Sequence, residues 1–254
     1  MHRFYLSPEE AQASTLTLRH TEAHHALHVL RVRTNEQVLV LDGAGQEFLC
    51  EVEALERSAV TLRVLQRHTR PPLPYRVTLA QAVVRSKTMD LIVQKATELG
   101  VHRIVPIAAE RSVAQIAEGS NKLEKWQATC VESIKQCGSP WLPRIDIPQT
   151  ARQFLAGGEV FDLMLVASLH EDTRHPRECF QSFEIERQRL PNSVCIWVGP
   201  EGDFTAAEIA TIRQAGALPI TLGGLILRSD TAATYCLSMV NYELQAPSRG
   251  PSPL

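Results

Sequence analysis

Strand patterns and helix patterns alternate along most of this chain, and this alternation restricts the possible folds more than any other feature of the sequence. Beyond residue 75, short apolar runs are separated by stretches with the period of an amphipathic helix. The predicted strands are 76–84, 103–107, 160–167, 194–198 and 218–222, and the predicted helices are 87–99, 122–136, 205–215 and 231–244. Because strands joined through helices pair in parallel, we predict an α/β fold with a parallel sheet in this part of the chain.

A proline-rich segment precedes the alternation. Residues 68–74 read H-T-R-P-P-L-P, and prolines in such a stretch favour an extended path and cannot donate backbone hydrogen bonds. Before this segment, alternating apolar residues predict strands at 37–41, 47–55 and 59–65, and a helical period predicts one helix at 21–30. We therefore predict a small β-rich domain at 1–72, a second domain at 73–245 and a flexible tail at 246–254.

The composition excludes several classes of protein. The chain has 254 residues, of which 44% are hydrophobic, and this length supports a core without disulfide bonds or a structural metal. No apolar run approaches the roughly 18 residues of a membrane span, and no secretory leader pattern follows Met1. We therefore expect a soluble, cytoplasmic protein without membrane contact. The six cysteines form no C-x-x-C pair, so reduced and mostly buried thiols are expected.

Histidines are concentrated in the first domain, where His20, His24 and His28 would share one face of the predicted helix. Such a row could hold a metal, but a second histidine follows His24 where the zinc-protease pattern requires a glutamate. Because Arg31 and Arg33 lie on the same segment, a basic strip facing RNA is another interpretation, and a merely solvated face is a third. The net charge of −2 permits one basic face, and we favour the strip over a metal site.

Three loops in the second domain carry the residues of most chemical interest. They span 168–171, 198–205 and 222–231, and each follows a predicted strand. Loops at the carboxyl ends of parallel strands bind ligands in open α/β sheets, and glycines there let the main chain approach a ligand closely. The alternative is that these are ordinary turns in which Thr205 or Ser229 caps a helix. A P-loop is unsupported because no G-x-x-x-x-G-K-[ST] occurs.

The last two of these loops carry a recognisable pair of motifs. Residues 199–205 match G-P-E-G-x-F-T, and residues 222–232 match L-G-x-x-I-L-R-x-[DE]-T-A. The pair resembles the signature of the small-subunit rRNA uridine N3-methyltransferase family, known as RsmE, of the knotted SPOUT class. Four further segments agree with that family in its order: 1–5, 25–31, 89–100 and 110–112. The resemblance extends from residue 1 to about residue 245.

The resemblance implies a fold, a cofactor and a substrate. The fold would be an N-terminal PUA-like β-barrel that helps to bind RNA, followed by a SPOUT-type parallel sheet whose C-terminal part is tied in a trefoil knot. The protein would be a homodimer that uses S-adenosylmethionine to methylate N3 of one uridine of 16S rRNA in the assembled small subunit. The residues expected to bind the cofactor are Leu169, Gly199, Pro200, Gly202, Leu222, Gly223, Ile226 and Leu227.

The same resemblance, combined with the chemistry of uracil, suggests further roles. Because N3 carries a weakly acidic proton, Arg228 would stabilise negative charge on the uracil oxygens, and His170, Glu171 or Glu201 would accept the proton. Contacts to RNA phosphates are expected from five basic residues: Arg31, Arg33, Arg85, Lys87 and Arg111.

Three positions depart from the family pattern. Asp203 stands where the family has the last glycine of G-P-E-G-G, Leu225 replaces an arginine of the knot loop, and Ser139 replaces an arginine found in many members. Since leucine and serine cannot supply a fixed cation, these changes bear on substrate positioning. Two alternatives therefore stay open. One is a knotted RNA-binding or ribosome-assembly protein with weak or no catalysis, and the other is a methyltransferase of the same fold that modifies a different RNA position.

Overall fold

The computed structural model describes residues 1–112, 121–169 and 172–245. The chain divides into two compact units, of which the first contains Met1–Pro72 with Cys130–Leu142 and the second contains Leu73–Thr129 with Pro143–Leu254. Residues 130–142 group with the first unit although they lie far beyond the predicted boundary in sequence. The predicted tail at 246–254 lies outside the described residues.

The first unit is built on one five-stranded sheet. Its strands are β1 (Arg3–Tyr5), β2 (Thr15–Leu18), β3 (Gln37–Leu41), β4 (Gln46–Leu55) and β5 (Val60–Thr69), in the spatial order β1-β3-β4-β5-β2. The sequence pattern predicted β3, β4 and β5 but missed β1 and β2, because three or four residues are too few to establish an alternation. The single helix predicted at 21–30 is a short α1 (His20–His24) that continues as a π-helical segment, His25–Leu30.

The segment 140–142 is hydrogen-bonded to the hairpin turn between β3 and β4. Gly45 N–H donates to the Pro140 carbonyl, and Leu142 N–H donates to the Gly43 carbonyl, both at 2.9 Å. Gly45 has a φ of +98°, and a Cβ added there would lie 2.4 Å from the Trp141 ring. The absence of a side chain at Gly45 therefore permits this close packing within the first unit.

The second unit alternates strands and helices, as the sequence predicted. Its strands are β6 (Arg76–Ala82), β7 (Arg103–Ile107), β8 (Arg144–Ile145), β9 (Leu163–Ala167), β10 (Ser193–Val198) and β11 (Leu218–Ile220). The helices along this part of the chain are α2 (Ser86–Glu98), α3 (Lys122–Cys137), α4 (Ala151–Ala156), α5 (Pro176–Arg187), α6 (Ala206–Gln214) and α7 (Ser229–Gln245).

The sheet of the second unit has six strands in the order β11-β9-β10-β6-β7-β8, and each pair of neighbours is parallel. The predicted α/β fold with a parallel sheet is confirmed. The central strands β6 and β10 are almost continuously buried, which explains why they read as apolar runs rather than alternating ones. β9 begins at Leu163 rather than at the predicted residue 160, and Val160 is 88% exposed.

Two helices of the second unit escaped prediction although their start signals are present. Thr150 caps α4 and forms a capping box with Gln153. His175 caps α5, and Pro176 occupies its first position. α4 has only six residues, so its apolar periodicity alone is weak evidence. α5 has twelve residues and was missed although it is longer than α6, which was predicted.

Two findings bear on the expectations from composition. No helix among the described residues is long and apolar enough to cross a membrane. All six cysteines are free, and five of them are buried, whereas Cys137 is exposed. Burial raises the pKa of the Cys50 and Cys236 thiols to about 12, so both are inert at neutral pH.

Candidate functional site

Three loops meet at the carboxyl edge of the parallel sheet. β11, β9 and β10 are adjacent strands that run in the same direction, so the loops that follow them emerge side by side. These loops enclose a pocket of about 310 Å³. The residues that line it are Ala167, Ser168, Leu169, Thr173, Val198, Gly199, Pro200, Glu201, Asp203, Thr221, Leu222, Gly223, Gly224, Leu225, Ile226, Leu227, Ser229 and Ala232.

The pocket brings together most of the residues predicted from the sequence to bind a cofactor. Seven of the eight line it: Leu169, Gly199, Pro200, Leu222, Gly223, Ile226 and Leu227. Gly202 is not among the lining residues, and its carbonyl instead accepts a hydrogen bond from Arg111 Nη1 at 3.0 Å. His170 and Glu171 lie outside the described residues.

Twelve of the eighteen lining residues are glycine, proline or aliphatic. Gly223 has a φ of +106°, and a Cβ added at Gly223 or Gly224 would meet nothing within 4 Å. The backbone of this loop is therefore open to a ligand. Leu169, Leu225 and Ile226 are 63%, 78% and 83% exposed, which is unusual for large aliphatic side chains and provides an apolar rim.

Asp203 occupies its position in a left-handed backbone conformation, with a φ of +58°. This explains how the chain departs from the glycine of the family pattern, because aspartate tolerates that conformation better than most residues. Its Oδ1 accepts a hydrogen bond from Phe204 N–H at 2.7 Å. A Cβ added at Gly199 would lie 2.9 Å from the same oxygen, so a side chain at position 199 would force the Asp203 carboxylate to move.

A buried chain of hydrogen bonds fixes the loop that follows β10. Gln81 lies on β6 with no exposed surface, and its Nε2 donates to Ser229 Oγ at 2.9 Å. Ser229, the first residue of α7, in turn donates to the Gly199 carbonyl at 2.9 Å. Gln81 was not predicted as a functional residue, although a glutamine in an otherwise apolar strand is a usable signal.

The other end of this loop is held by the start of α6. Thr205 caps the helix and forms a capping box with Glu208, which confirms the predicted role of Thr205 as a helix cap. Glu208 Oε1 also accepts a hydrogen bond from Glu110 N–H at 3.0 Å. Ser229, the other predicted cap, is instead a helical residue whose hydroxyl is bonded to the neighbouring loop.

The predicted catalytic residues differ in their relation to the pocket. Glu201 is exposed and lines it. Arg228 is exposed and lies between two lining residues, Leu227 and Ser229, but is not itself in contact with the cavity. Within the described residues, neither side chain forms a hydrogen bond or an ion pair, so both are available to a ligand.

The basic residues predicted to contact RNA are spread over both units. Arg31 and Arg33 are exposed in the first unit, and Arg85 and Lys87 are exposed at the start of α2. Arg111 is exposed but already donates to the loop after β10. The third departure from the family pattern, Ser139, belongs to the first unit, where its hydroxyl closes a turn with the backbone of Trp141.

Comparison with known proteins identifies the family. A model of the RNA methyltransferase domain matches residues 71–241, and a model of the RNA methyltransferase PUA domain matches residues 18–65. The chain belongs to the RNA methyltransferase family. A relative from Synechocystis, the ribosomal RNA small subunit methyltransferase E, is 31% identical over 96% of this chain and 78% of its own length. The resemblance predicted from the motifs is confirmed.

Solved structures of similar proteins agree with this family. A methyltransferase from Legionella pneumophila with bound S-adenosylmethionine has a TM-score of 0.84 and 27% identity, covering 94% of this chain and 96% of that one. The ribosomal RNA small subunit methyltransferase E of Neisseria gonorrhoeae, also bound to S-adenosylmethionine, has a TM-score of 0.83 and 27% identity, covering 95% and 97%. The predicted α/β fold class with an N-terminal PUA domain is confirmed.

Proposed function

We propose that this protein transfers a methyl group from S-adenosylmethionine to N3 of a uridine in 16S rRNA of the small ribosomal subunit. The observation that carries the proposal is the convergence of the three loops on one pocket that contains seven of the eight expected cofactor residues. Family membership supports the reaction class, and the names of the relatives support rRNA as the substrate.

The pocket has properties that suit S-adenosylmethionine. Its volume of about 310 Å³ lies at the lower end of the range for small-molecule sites. Glycines at 199, 223 and 224 let a ligand approach the main chain closely, and Leu222 and Ile226 offer apolar surface to its rings and methylenes. When bound, this cofactor would supply an electrophilic methyl group.

The side chains at the pocket provide the remaining chemistry. Glu201 would accept the N3 proton, since its carboxylate is exposed, lines the pocket and has no other partner among the described residues. Arg228 would stabilise the negative charge that develops on the uracil oxygens. Because N3 lies on the Watson–Crick edge, the target base must be unpaired when it enters.

Several further properties form part of the proposal. We infer phosphate contacts from Arg31, Arg33, Arg85, Lys87 and Arg111, a cytoplasmic location, and action on the assembled small subunit. A trefoil knot at the C-terminus is supported by the path of the chain, because α7 follows the edge strand β11 yet packs against the central strands β6 and β10. A homodimer is supported by exposed apolar residues on α7, Tyr235 and Tyr242, which are 49% and 69% exposed.

The test is methyl transfer to ribosomal RNA. Purified protein is incubated with labelled S-adenosylmethionine and either free 16S rRNA or small subunits from a strain that lacks the gene, and the product is mapped by mass spectrometry. We expect one N3-methylated uridine. A methyl on another nucleotide would favour the same-fold methyltransferase of different specificity. No transfer by a folded protein would favour the non-catalytic RNA-binding alternative.

A further inference from the structure

A second pocket, in the first unit, takes no part in the proposed transfer reaction. It has a volume of about 290 Å³. Its lining residues are Arg19, His20, His24, Leu27, His28, Arg57 and Ser58. The pocket therefore collects the histidine row found in the sequence, but it combines that row with Arg19 and Arg57 rather than with Arg31 and Arg33.

The lining of this histidine pocket carries positive charge on its arginines. It contains two arginines and three histidines and no carboxylate. Within the described part of the chain, the guanidinium groups of Arg19 and Arg57 make no ion pair. Glu22, the acidic residue of α1, is engaged elsewhere, because Oε1 pairs with Lys135 Nζ at 2.6 Å and Oε2 accepts from Tyr5 N–H at 3.1 Å. The charge of the two arginines is thus not neutralised by an ion pair within the described part of the chain.

The backbone of this segment is irregular in a way that arranges the histidines. α1 passes into the π-helical segment after His24, and the rings of His24 and His28 lie 4.9 Å apart between centroids. His20 has a φ of +47°, a conformation that is costly for a residue with a side chain. Both features are common where a protein binds a ligand.

A metal is not the ligand that this arrangement favours. Among the described residues, no group of three or more histidine, cysteine, aspartate or glutamate side chains could hold a metal ion. Arg19 and Arg57 also disfavour a metal cation in this pocket, because their two positive charges would repel it. A phosphate group, in contrast, matches the guanidinium forks of arginine and the N–H and O–H donors of histidine and serine.

We propose that the histidine pocket binds phosphate groups of the RNA backbone. The proposal rests on the proposed function, since it takes RNA as the substrate, and it assigns a contact to residues outside the two loop motifs at 199–205 and 222–232. The RNA methyltransferase PUA model at residues 18–65 spans every residue of the pocket. Arg19 and Arg57 supply the charge, and His24, His28 and Ser58 supply hydrogen-bond donors.

The test compares RNA affinity over a range of salt concentrations. Binding of polyuridylic acid is measured by fluorescence anisotropy for the wild type, for Arg19→Gln with Arg57→Gln, and for His24→Gln with His28→Gln. Loss of each phosphate contact reduces the slope of log K against log salt by about 0.7 for single strands. We expect weaker binding by both variants and a slope shallower by about 1.4 in the double arginine variant. Arg63→Gln is the matched control, because Arg63 is an exposed arginine of the same unit that pairs with Glu51.

Two further measurements distinguish a misfolded variant from a failure of the phosphate-site proposal. Calorimetric titration with S-adenosylmethionine and thermal melting show whether each variant is folded with an intact cofactor pocket. A folded arginine variant with the wild-type affinity and slope would overturn the histidine pocket as a phosphate site. Absence of methyl transfer to 16S rRNA by the wild type would instead contradict the proposed function, whereas the salt slopes would still report on the pocket.

Discussion

Gln81 Nε2 donates a hydrogen bond to Ser229 Oγ at 2.9 Å although the two residues are 148 positions apart in the chain. Ser229 Oγ in turn donates a hydrogen bond to the Gly199 carbonyl, which belongs to a loop of the cofactor pocket. The orientation of this loop therefore depends on a buried amide in β6 and on the first residue of α7. Gln81 and Ser229 are positioning residues, because they act on the ligand through the loop.

Replacement of Ser229 by alanine should weaken binding of S-adenosylmethionine by about tenfold. The change removes the donor to the Gly199 carbonyl and leaves Gln81 Nε2 with only its bond to the Ala82 carbonyl, at a cost of about 1–3 kcal/mol. Calorimetric titration measures the effect, and Ser229→Thr should retain much of the affinity because it keeps the hydroxyl. Ser193→Ala is the matched control, since that hydroxyl accepts from Asp162 N–H away from the pocket. Wild-type affinity in Ser229→Ala would contradict the positioning role.

The left-handed backbone at Asp203 predicts an unusual order of stability among substitutions. Asp203→Gly removes the cost of the left-handed backbone but also loses the hydrogen bond from Phe204 N–H. Because these two effects oppose each other, the free energy of unfolding should change by less than about 1 kcal/mol. Asp203→Val should be less stable than Asp203→Gly by about 2 kcal/mol. Denaturant titration measures both values. The same pair of substitutions at Asp172, where φ is not positive, provides the control. Equal stability of the glycine and valine variants at position 203 would refute the explanation.

Glu201→Gln should reduce kcat for methyl transfer by about 10²–10⁴-fold while the affinity for S-adenosylmethionine stays the same. The amide keeps the size of the side chain but cannot accept the N3 proton at neutral pH. Single-turnover transfer at saturating cofactor measures the chemical step, and calorimetry measures binding. Glu186→Gln, an exposed change on α5, is the control. An unaltered rate would remove Glu201 as the proton acceptor.

Arg228→Ala should lower the transfer rate by about 10²–10³-fold, because a fixed cation near developing negative charge is lost. Arg228→Lys should recover only part of the rate, since an ammonium group cannot donate two parallel hydrogen bonds. The rates are compared at saturating cofactor and RNA. Arg187→Ala removes an exposed arginine of the same unit as a control. If Arg228→Ala turns over at the wild-type rate, Arg228 has no part in the chemistry.

The ion pair between Asp162 and Arg189 predicts a pH dependence of stability. Arg189 donates two hydrogen bonds of 2.8 Å to the carboxylate and lowers the pKa of Asp162 from 3.8 to about 2. A carboxyl with a lowered pKa stabilises the fold above its unfolded pKa, and this contribution is lost as the pH falls from about 4 to 2.

The size of this effect should be about 1 kcal/mol or less, because Arg189 is largely exposed. The free energy of unfolding is measured from pH 2 to 7 for the wild type and for Asp162→Asn. The difference should be constant above about pH 5 and shrink towards pH 2. A difference that does not vary with pH would show that the pair contributes nothing through its charge.

The helices with a clear period could be predicted from the sequence, whereas two of the shortest strands could not. α2 and α7 were predicted within one or two residues of their observed ends, because each buries one face along several turns. β1 and β2 were missed, since their three or four residues are held by neighbouring strands rather than by their own pattern. α4 is the avoidable omission, because the capping box of Thr150 and Gln153 was present in the sequence.

The candidate site was predictable as far as it depends on local sequence features. Glycine-rich loops after β10 and β11 are local features, and their convergence follows from the rule that parallel strands end at a shared edge. The hydrogen bonds that hold those loops are not local, so Gln81 was overlooked. Asp203 was recognised as a departure from the family, but its left-handed φ depends on the path of the turn.

The sequence by itself determined the parallel sheet of the second unit, the position of the ligand loops and the family. These properties depend on periodicity and on motifs within short stretches of chain. Only the tertiary structure decided that Gln81 meets Ser229 and that Arg19 and Arg57 join the histidine row. Such contacts connect residues far apart in sequence, and their distances are set by the packing of whole elements rather than by the residues themselves.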